Sequence, residues 1–322
     1  MLDGMNDSSN VLSPALESSM IALHQSTLKS TIHCNGVGLH SGKKISLAMI
    51  PAAPDTGIVF RRTDVIGEAG IIQARYDNVV DTRMNTTLGN EDGTTIGTVE
   101  HLMAAISGCG IDNLIIELNG PEVPVMDGSS EPFVFLIECA GIEAQNAPRR
   151  AIMVKCDVSI QIEGCEASLS PANTFSISCD INFDSPVIGH QELYLEISND
   201  SFRQEISRAR TFGFVHEVEM LRKMGLAKGA SLDNAIGING DEIMNEGGLR
   251  FDDEFVRHKV LDCIGDLALA GAPLLGHFRG VRGGHASNNA LLRELFSSTD
   301  NWAEVTFDQL HNAMPLAMVA NG

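Results

Sequence analysis

Short runs of alternating apolar and polar residues, interrupted by glycine, open the first half of the chain and precede helix-forming segments. Residues 27–51 have the pattern of two strands joined by a Gly-rich connection, and 56–62 that of a third strand. Residues 98–110 carry apolar positions at helical spacing, 111–118 form an apolar run typical of a buried strand, and 131–142 predict a second helix. The first half is therefore predicted to be a unit of several strands and two helices.

The second half of the chain repeats this order of elements. The predicted elements are a strand pair within 153–172, a strand over 173–183, a short helix opened by a capping box at Ser201, a long helix over 249–271, a strand over 273–280 and a last helix over 287–296. The pattern predicts an α+β fold of two similar domains, each a sheet with two helices.

Domain boundaries follow from breaks in the pattern. Residues 146–150 are polar and contain proline, which is typical of a linker, and they separate a first α+β domain over 26–148 from a second over 149–312. Residues 212–245 have no counterpart in the first half and are interpreted as an insertion in the second domain. Residues 1–25 are predicted to be a loosely ordered N-terminal extension, and 313–322 a C-terminal tail.

Charge and cysteine content narrow the classes of function. With 22 Lys and Arg against 42 Asp and Glu, the net charge is −20, which argues against nucleic acid as a partner. The seven cysteines form no CxxC pair, which indicates free thiols in a reducing compartment. No basic leader and no apolar stretch of membrane-spanning length is evident, so a cytoplasmic protein without stable membrane insertion is expected.

The most suggestive cluster of polar residues lies in the long second-half helix. His258, Asp262 and Asp266 are spaced i, i+4 and i+8, which places them along one helix face. An imidazole and a carboxylate at i, i+4 can bind zinc, although a third ligand must then come from elsewhere in the chain. The alternative is a solvated polar face held by a salt bridge.

Two further histidines could serve in catalysis. Glu100 precedes His101, and a carboxylate beside a metal-binding histidine can take a proton from water. The alternative is an acidic first helical turn next to a packed, neutral histidine. His285 lies at a Gly-rich turn between a strand and a helix, where it could enter a cleft as an acid or simply cap the turn.

Other chemistries find no support in the sequence. It contains no G-x-S-x-G, Walker A or G-x-G-x-x-G motif, and Cys263 lies on the apolar side of its helix, where a buried structural role is expected. The remaining histidines lack an acidic partner at a telling spacing and are expected to be structural; they are His24, His33, His40, His190, His216, His277 and His311.

Several longer motifs resemble a known enzyme family. The segments TVEHLMAAISGCGIDN, PVMDGSSEPF, ISRARTFGF, GLRFDDEFVRHKVLDCIGDL and GGHASNN closely resemble the UDP-3-O-acyl-N-acetylglucosamine deacetylases of lipid A biosynthesis, and the likeness extends from about residue 26 to about 310. The resemblance implies an amidase with one catalytic Zn²⁺, whose substrate is a UDP-linked acylated amino sugar and which acts as a monomer. It also implies two domains of the ribosomal-protein-S5-domain-2-like type, packed helix layer to helix layer between outer sheets, with the active site at their junction.

The resemblance also implies a role for each matching residue. His101, His258 and Asp262 match the zinc ligands, Glu100 the general base and His285 the general acid or cationic stabiliser. The other matches are Asp266, which orients that histidine; Thr211, which helps to hold the oxyanion; Lys259, a contact to the diphosphate; Phe183, near the nucleotide; and Phe212 and Gly213, at the mouth of an acyl-chain passage formed by 212–245. The alternative is a catalytically inactive protein that binds nucleotide sugars or acyl chains.

Overall fold

A computed structural model of the protein describes residues 23–313, with side chains through Leu310. Its α-helices are α1 (Glu100–Gly108), α2 (Glu131–Ala140), α3 (Asn199–Ser201), α4 (Val215–Lys223), α5 (Glu254–Leu267), α6 (His285–Phe296) and α7 (Phe307–Ala313). Its strands are β1 (His24–Leu28), β2 (Ile32–Val37), β3 (Lys44–Pro51), β4 (Ile58–Arg62), β5 (Ile71–Gln73), β6 (Val79–Asp81), β7 (Thr87–Gly89), β8 (Thr95–Ile96), β9 (Leu114–Leu118), β10 (Ile142–Pro148), β11 (Arg150–Val154), β12 (Val158–Ile162), β13 (Cys165–Ser170), β14 (Phe175–Asn182), β15 (His190–Glu196), β16 (Phe212–Phe214), β17 (Ile236–Asn239), β18 (Glu242–Ile243), β19 (Leu274–Val281) and β20 (Trp302–Thr306).

The first large sheet has the strand order β2-β3-β9-β4-β5. β9 lies between β3, to which it is antiparallel, and β4, to which it is parallel, so that Ile116 is opposite both Met49 and Phe60. Alternate residues of β9 are buried, as expected for a sheet with one face toward the core. The smaller sheets β1-β10 and β6-β7-β8 complete this half of the chain.

The second large sheet is organised around β19. β13 pairs with β19 antiparallel, while β11 and β14 pair with it in parallel along successive parts of its length. β12, β15 and β20 extend the sheet. Every strand of this sheet comes from the second half of the chain, whereas every strand of the first large sheet comes from the first half. The predicted mixed α+β class is confirmed.

Helices α1 and α5 pack against each other at the centre of the molecule. Their backbones approach closely because Gly265 of α5 has no side chain: a Cβ at this position would overlap the backbone carbonyl of Glu100 on α1. Most side chains of both helices are buried, including the polar Glu100, His101, His258 and Asp262. The close approach therefore brings the polar residues of both halves together inside the protein.

Substitution of Gly265 by alanine is expected to lower the free energy of unfolding by about 1–3 kcal/mol, because the added methyl group meets the backbone of a facing helix, which cannot rotate away. Urea denaturation measures this effect. Gly247→Ala is a matched control, since its Cβ would face open space and should change stability by less than about 0.5 kcal/mol. Equal effects of the two substitutions would contradict the assigned helix contact.

The predicted linker over 146–150 is wrong. β10 runs to Pro148 and pairs antiparallel with β1, so that His24 is opposite Pro148 and Leu28 opposite Ile142, and β11 begins at Arg150. This pairing between distant segments outweighs the local preference of a polar, proline-containing stretch for a loop. It also orders residues 24 and 25, which were assigned to the N-terminal extension; residues 1–22 and 314–322 lie outside the described residues.

Other elements agree with the sequence patterns or differ locally. The helices predicted over 98–110, 131–142 and 249–271 are confirmed as α1, α2 and α5. The capping box exists, but Ser198 is its N-cap residue and Ser201 its third helical position, and a π-helical turn follows over Phe202–Ile206. The insertion forms the small sheet β16-β17-β18 with α4, and α7 follows the helix that was expected to be the last. No helix among the described residues is both long and apolar enough to cross a membrane.

Candidate active site

Three potential metal ligands converge where α1 meets α5. His101 lies in the first turn of α1, and His258 and Asp262 lie one turn apart on α5. Asp262 Oδ1 is 3.6 Å from His101 Nε2 and 3.4 Å from His258 Nε2, and the two imidazole rings are 4.9 Å apart. The three residues are only 4%, 2% and 4% exposed. The alternative of a solvated helix face is therefore wrong.

The chemistry of these three donors fits zinc. His258 Nδ1 lies 3.0 Å from the carbonyl oxygen of Ala209, which can only accept a hydrogen bond, so its proton is on Nδ1 and Nε2 is free to ligate. Burial lowers the pKa of His258, and burial lowers the pKa of His101 to about 3, which keeps both rings neutral. Burial disfavours the Asp262 carboxylate, but the charge of the neighbouring Lys259 ammonium helps to hold its pKa well below the usual range. Two neutral imidazoles and one carboxylate are a donor set of catalytic zinc sites.

Glu100 lies beside this triad at the start of α1 and is itself buried. Burial raises the pKa of Glu100 to about 8, against the smaller opposing effect of His285. One carboxylate oxygen, Oε2, accepts a hydrogen bond of 3.0 Å from the backbone N–H of Thr86. A buried carboxyl group of raised pKa, held next to potential metal ligands, has the properties of a general base.

His285 and Asp266 form a hydrogen-bonded pair whose charges act on Glu100. His285 Nδ1 donates to Asp266 Oδ2 at 2.8 Å. Burial favours the neutral ring, but the charge and hydrogen bond of Asp266 outweigh it and raise the pKa of His285 to about 10. His285 is the first residue of α6, after the Gly-rich turn that the sequence pattern placed between a strand and a helix. The pair thus presents an imidazolium near the metal ligands at neutral pH.

A cavity of about 400 Å³ opens onto these groups. Of the residues predicted for the site, those lining it are Glu100, His101, Thr211, Phe212, His258, Lys259, Asp262 and His285. Lys259 Nζ donates to Asp262 Oδ2 at 3.0 Å and lies 5.6 Å from the centre of the Phe212 ring. Arg83 and Arg282 also line the cavity, and the sequence pattern did not single them out.

Two predicted substrate-binding residues, Phe183 and Gly213, do not line the cavity. Phe183 packs edge-to-face on Phe212, with ring centres 5.7 Å apart, and is not itself among the cavity-lining residues. Gly213 follows Phe212 in β16 and is likewise absent from the lining. Thr211 is fixed by its backbone, since its N–H donates to Gly128 and its carbonyl accepts from Ile236, both at 2.8 Å.

The structure shows the surroundings of His190 and Cys263, which no sequence pattern indicates. His190 has no acid at a telling spacing in the sequence, but its Nε2 lies 3.2 Å from Asp180 and 3.4 Å from Glu192, because pairing of β14 with β15 brings these residues together on an exposed face. Cys263 is buried as predicted, and contact with Cys179 together with burial raises its pKa well above the ordinary value, which disfavours a thiolate nucleophile.

Thr86 and Asn288 are site residues that the sequence analysis missed. Both donate hydrogen bonds to Asp266, Thr86 through its hydroxyl and Asn288 through its amide. A single threonine in a loop and an asparagine inside a helix carry no recognisable spacing. One sequence feature pointed to Asn288. It belongs to the GGHASNN motif and lies three residues after His285, on the same face of α6.

Comparison with known proteins shows the family of the chain. A family model described as UDP-3-O-acyl N-acetylglycosamine deacetylase matches residues 25–297. Proteins named UDP-3-O-acyl-N-acetylglucosamine deacetylase are similar to this chain: that of Acidithiobacillus ferrooxidans is 52% identical over 88% of this chain and 94% of its own, and that of Teredinibacter turnerae is 52% identical over 90% and 96%. That of Chromohalobacter salexigens is 49% identical over 92% and 98%. The chain belongs to the UDP-3-O-acyl N-acetylglycosamine deacetylase family.

Proposed function

We propose that the protein is a zinc-dependent amidase that hydrolyses the acetamide of a UDP-3-O-acyl-N-acetylglucosamine to acetate and the free amine, a step of lipid A biosynthesis. The observation that carries this proposal is the buried triad of His101, His258 and Asp262, which lies beside Glu100 and the His285–Asp266 pair at one cavity. A protein that only bound this substrate would not need a buried general base beside the metal ligands.

The triad would hold the metal through two nitrogen atoms and one carboxylate oxygen. A bound Zn²⁺ supplies Lewis acidity toward the water nucleophile and the acetamide carbonyl. Asp262 would contribute one negative charge and the two neutral imidazoles none, so these three ligands would leave a bound Zn²⁺ with a net positive charge. Lys259, which contacts Asp262 in this structure, would turn toward an incoming anionic group.

Glu100 would accept the proton of the attacking water and hold it for later transfer to the departing amine. The imidazolium of His285 would stabilise the negative charge that develops on the acetamide oxygen, and the Thr211 hydroxyl would donate to the same oxygen. Asp266 keeps His285 protonated and oriented through the 2.8 Å hydrogen bond. These groups come from different parts of the chain but line one cavity, Asp266 excepted, which lies behind His285.

Substrate binding would divide between charged and apolar surfaces. A protein of net charge −20 must bind a diphosphate locally, and Lys259, Arg83 and Arg282 are the lysine and arginine side chains that line the cavity. We assign Phe183 to the neighbourhood of the nucleotide, and Phe212 and Gly213 to the mouth of an acyl passage within 212–245. That insertion carries a group of exposed apolar side chains, namely Val215, Met220, Met224, Leu232 and Met244.

Shortening the acyl chain of the substrate is expected to lower kcat/KM, because each methylene group removed from an apolar passage forfeits about 0.8 kcal/mol of burial. Loss of four buried methylene groups then corresponds to a decrease of about 10²-fold. Steady-state kinetics over a series of acyl lengths measures this dependence, and Met224→Ser should weaken it. Rates independent of acyl length would remove the insertion from substrate binding.

The same proposal includes the arrangement of the chain. Residues 26–148 and 149–312 would form two similar α+β domains of the ribosomal-protein-S5-domain-2-like type, with their helix layers facing each other between outer sheets. Packing of α1 against α5 supports this arrangement. We infer a monomer, because the site residues belong to one chain, and light scattering tests it. The seven free cysteines favour the reducing cytoplasm.

Acetate release from a UDP-3-O-acyl-N-acetylglucosamine tests the function directly. The purified protein is assayed as prepared, after removal of metal with a chelator, and after addition of one equivalent of Zn²⁺. Activity that disappears with the metal and returns with Zn²⁺ is expected. Full activity after complete metal removal would contradict the zinc mechanism, and substrate binding without acetate release would instead favour the inactive binding protein.

A further inference from the structure

Thr86 lies between the two acid–base groups of the site. It precedes β7, is only 2% exposed, and donates one hydrogen bond to each of two functional carboxylates. Its backbone N–H donates to Glu100 Oε2 at 3.0 Å, and its hydroxyl Oγ1 donates to Asp266 Oδ1 at 2.5 Å. Because Glu100 is on α1 and Asp266 is on α5, this one residue connects the general base with the pair that holds the imidazolium.

The hydrogen bonds of Asp266 show what the Thr86 hydroxyl contributes. His285 and Asn288 both donate to Oδ2, at 2.8 and 2.9 Å. Among the described residues, the hydrogen bond from Thr86 is the one that reaches Oδ1. Two donors on one oxygen allow the carboxylate to rotate about the contact, whereas a third donor on the other oxygen fixes its plane and, through it, the orientation of the imidazole ring.

Thr86 is itself held in place. Its carbonyl oxygen accepts a hydrogen bond of 3.3 Å from the N–H of Val99, the residue immediately before α1. The backbone of Thr86 is therefore anchored to the start of the helix that carries Glu100 and His101, and its side chain crosses to α5. The hydroxyl can fix Asp266 relative to Glu100 because its own position is set by the first turn of α1.

We propose that Thr86 is a positioning residue that sets the geometry of the His285–Asp266 pair relative to Glu100. This inference rests on the proposed function and deepens it. Without the hydroxyl, Oδ1 of the buried Asp266 loses its donor, the carboxylate turns, and the imidazolium no longer meets the developing negative charge. Ground-state binding of the substrate does not depend on this alignment, so the loss falls on kcat.

Thr86→Val tests the proposal, because valine keeps the shape and the backbone N–H but lacks the hydroxyl. A hydrogen bond to a buried charge is strong enough to change kcat by about 10- to 100-fold, so a decrease of that size is expected. KM should stay within about twofold of the wild-type value, and the zinc content should be unchanged. Thr86→Ser should restore kcat to within about threefold. Thr87→Val is the matched control, since the Thr87 hydroxyl donates to Asn85 and not to a catalytic group, and it should leave kcat unchanged.

A double-mutant cycle separates positioning from a structural effect. In a His285→Ala background the imidazolium is gone, so addition of Thr86→Val should lower kcat by less than about twofold. If Thr86→Val does not fold, Thr86→Ala removes the same hydroxyl without adding a methyl group in its place. Unchanged kcat in the folded variant, or an equal decrease in both backgrounds, would overturn the proposal while the proposed function stands. A wild-type protein inactive with Zn²⁺ would overturn both.

Discussion

Replacement of Glu100 by glutamine is expected to lower kcat by about 10²- to 10⁴-fold, the range typical of a lost general base. Glutamine has nearly the same size, and its amide oxygen can still accept the hydrogen bond that the Thr86 N–H donates to Glu100, so the fold should persist. The amide cannot take a proton from water. Zinc content and the thermal unfolding temperature, measured beside kcat, should match the wild type.

The pH dependence of this variant provides its control. The proposed base Glu100 acts in its deprotonated form, so the rate rises as pH increases through its pKa. Burial raises this pKa to about 8, and the positive charge of a bound metal would lower it again. His285 acts in its protonated form, so the rate falls as pH increases through its pKa, which Asp266 raises to about 10 against the effect of burial. Glu100→Gln should lose the rising limb and His285→Ala the falling limb. Retention of both limbs in both variants would contradict the assignment.

Substitution of His258 by alanine is expected to remove bound zinc and, with it, at least about 10³-fold of the activity. His258 is one of the three residues that would ligate the metal, and a Lewis acid at such a site contributes several kcal/mol of transition-state stabilisation. Zinc bound per protein molecule, measured by atomic spectroscopy, and acetate release are the two measurements. Circular dichroism should show a folded chain.

His277→Ala is the matched control for this substitution. His277 lies on β19, outside the cavity, where its ring nitrogens hydrogen-bond to the hydroxyls of Ser176 and Ser178. This variant should keep full zinc content and activity. Full zinc occupancy in His258→Ala, or equal losses in both variants, would show that the triad is not the metal site.

Local spacing revealed the part of the site that lies on one helix. His258, Asp262 and Asp266 are separated by whole helical turns, so their common face follows from helix geometry alone. Periodicity could not show that this face is buried, because a polar stripe that meets a metal has the same pattern as one that meets water. His101 joined the set through resemblance to a family, since the contact of α1 with α5 depends on tertiary packing that no local pattern encodes.

The wrong linker prediction and the overlooked Thr86 have the same physical origin. The pairing of β1 with β10 joins segments far apart in the chain, and for this reason most of the expected linker is strand. Thr86 matters through one hydroxyl that reaches a carboxylate on a distant helix, and nothing in its neighbouring residues distinguishes it from a surface threonine. Long-range pairing and single cross-chain hydrogen bonds are decided by the folded structure as a whole.

The proposed ligands span the contact between α1 and α5, with one imidazole on the first helix and the other imidazole and the carboxylate on the second. A metal ion held there cross-links two segments that are far apart in sequence, closing a long loop of the chain. The free energy of metal binding would therefore also contribute to the free energy of folding, because the ion would join the two halves of the molecule. Each half alone lacks a complete set of ligands, so metal capture reports the completed assembly of the native protein.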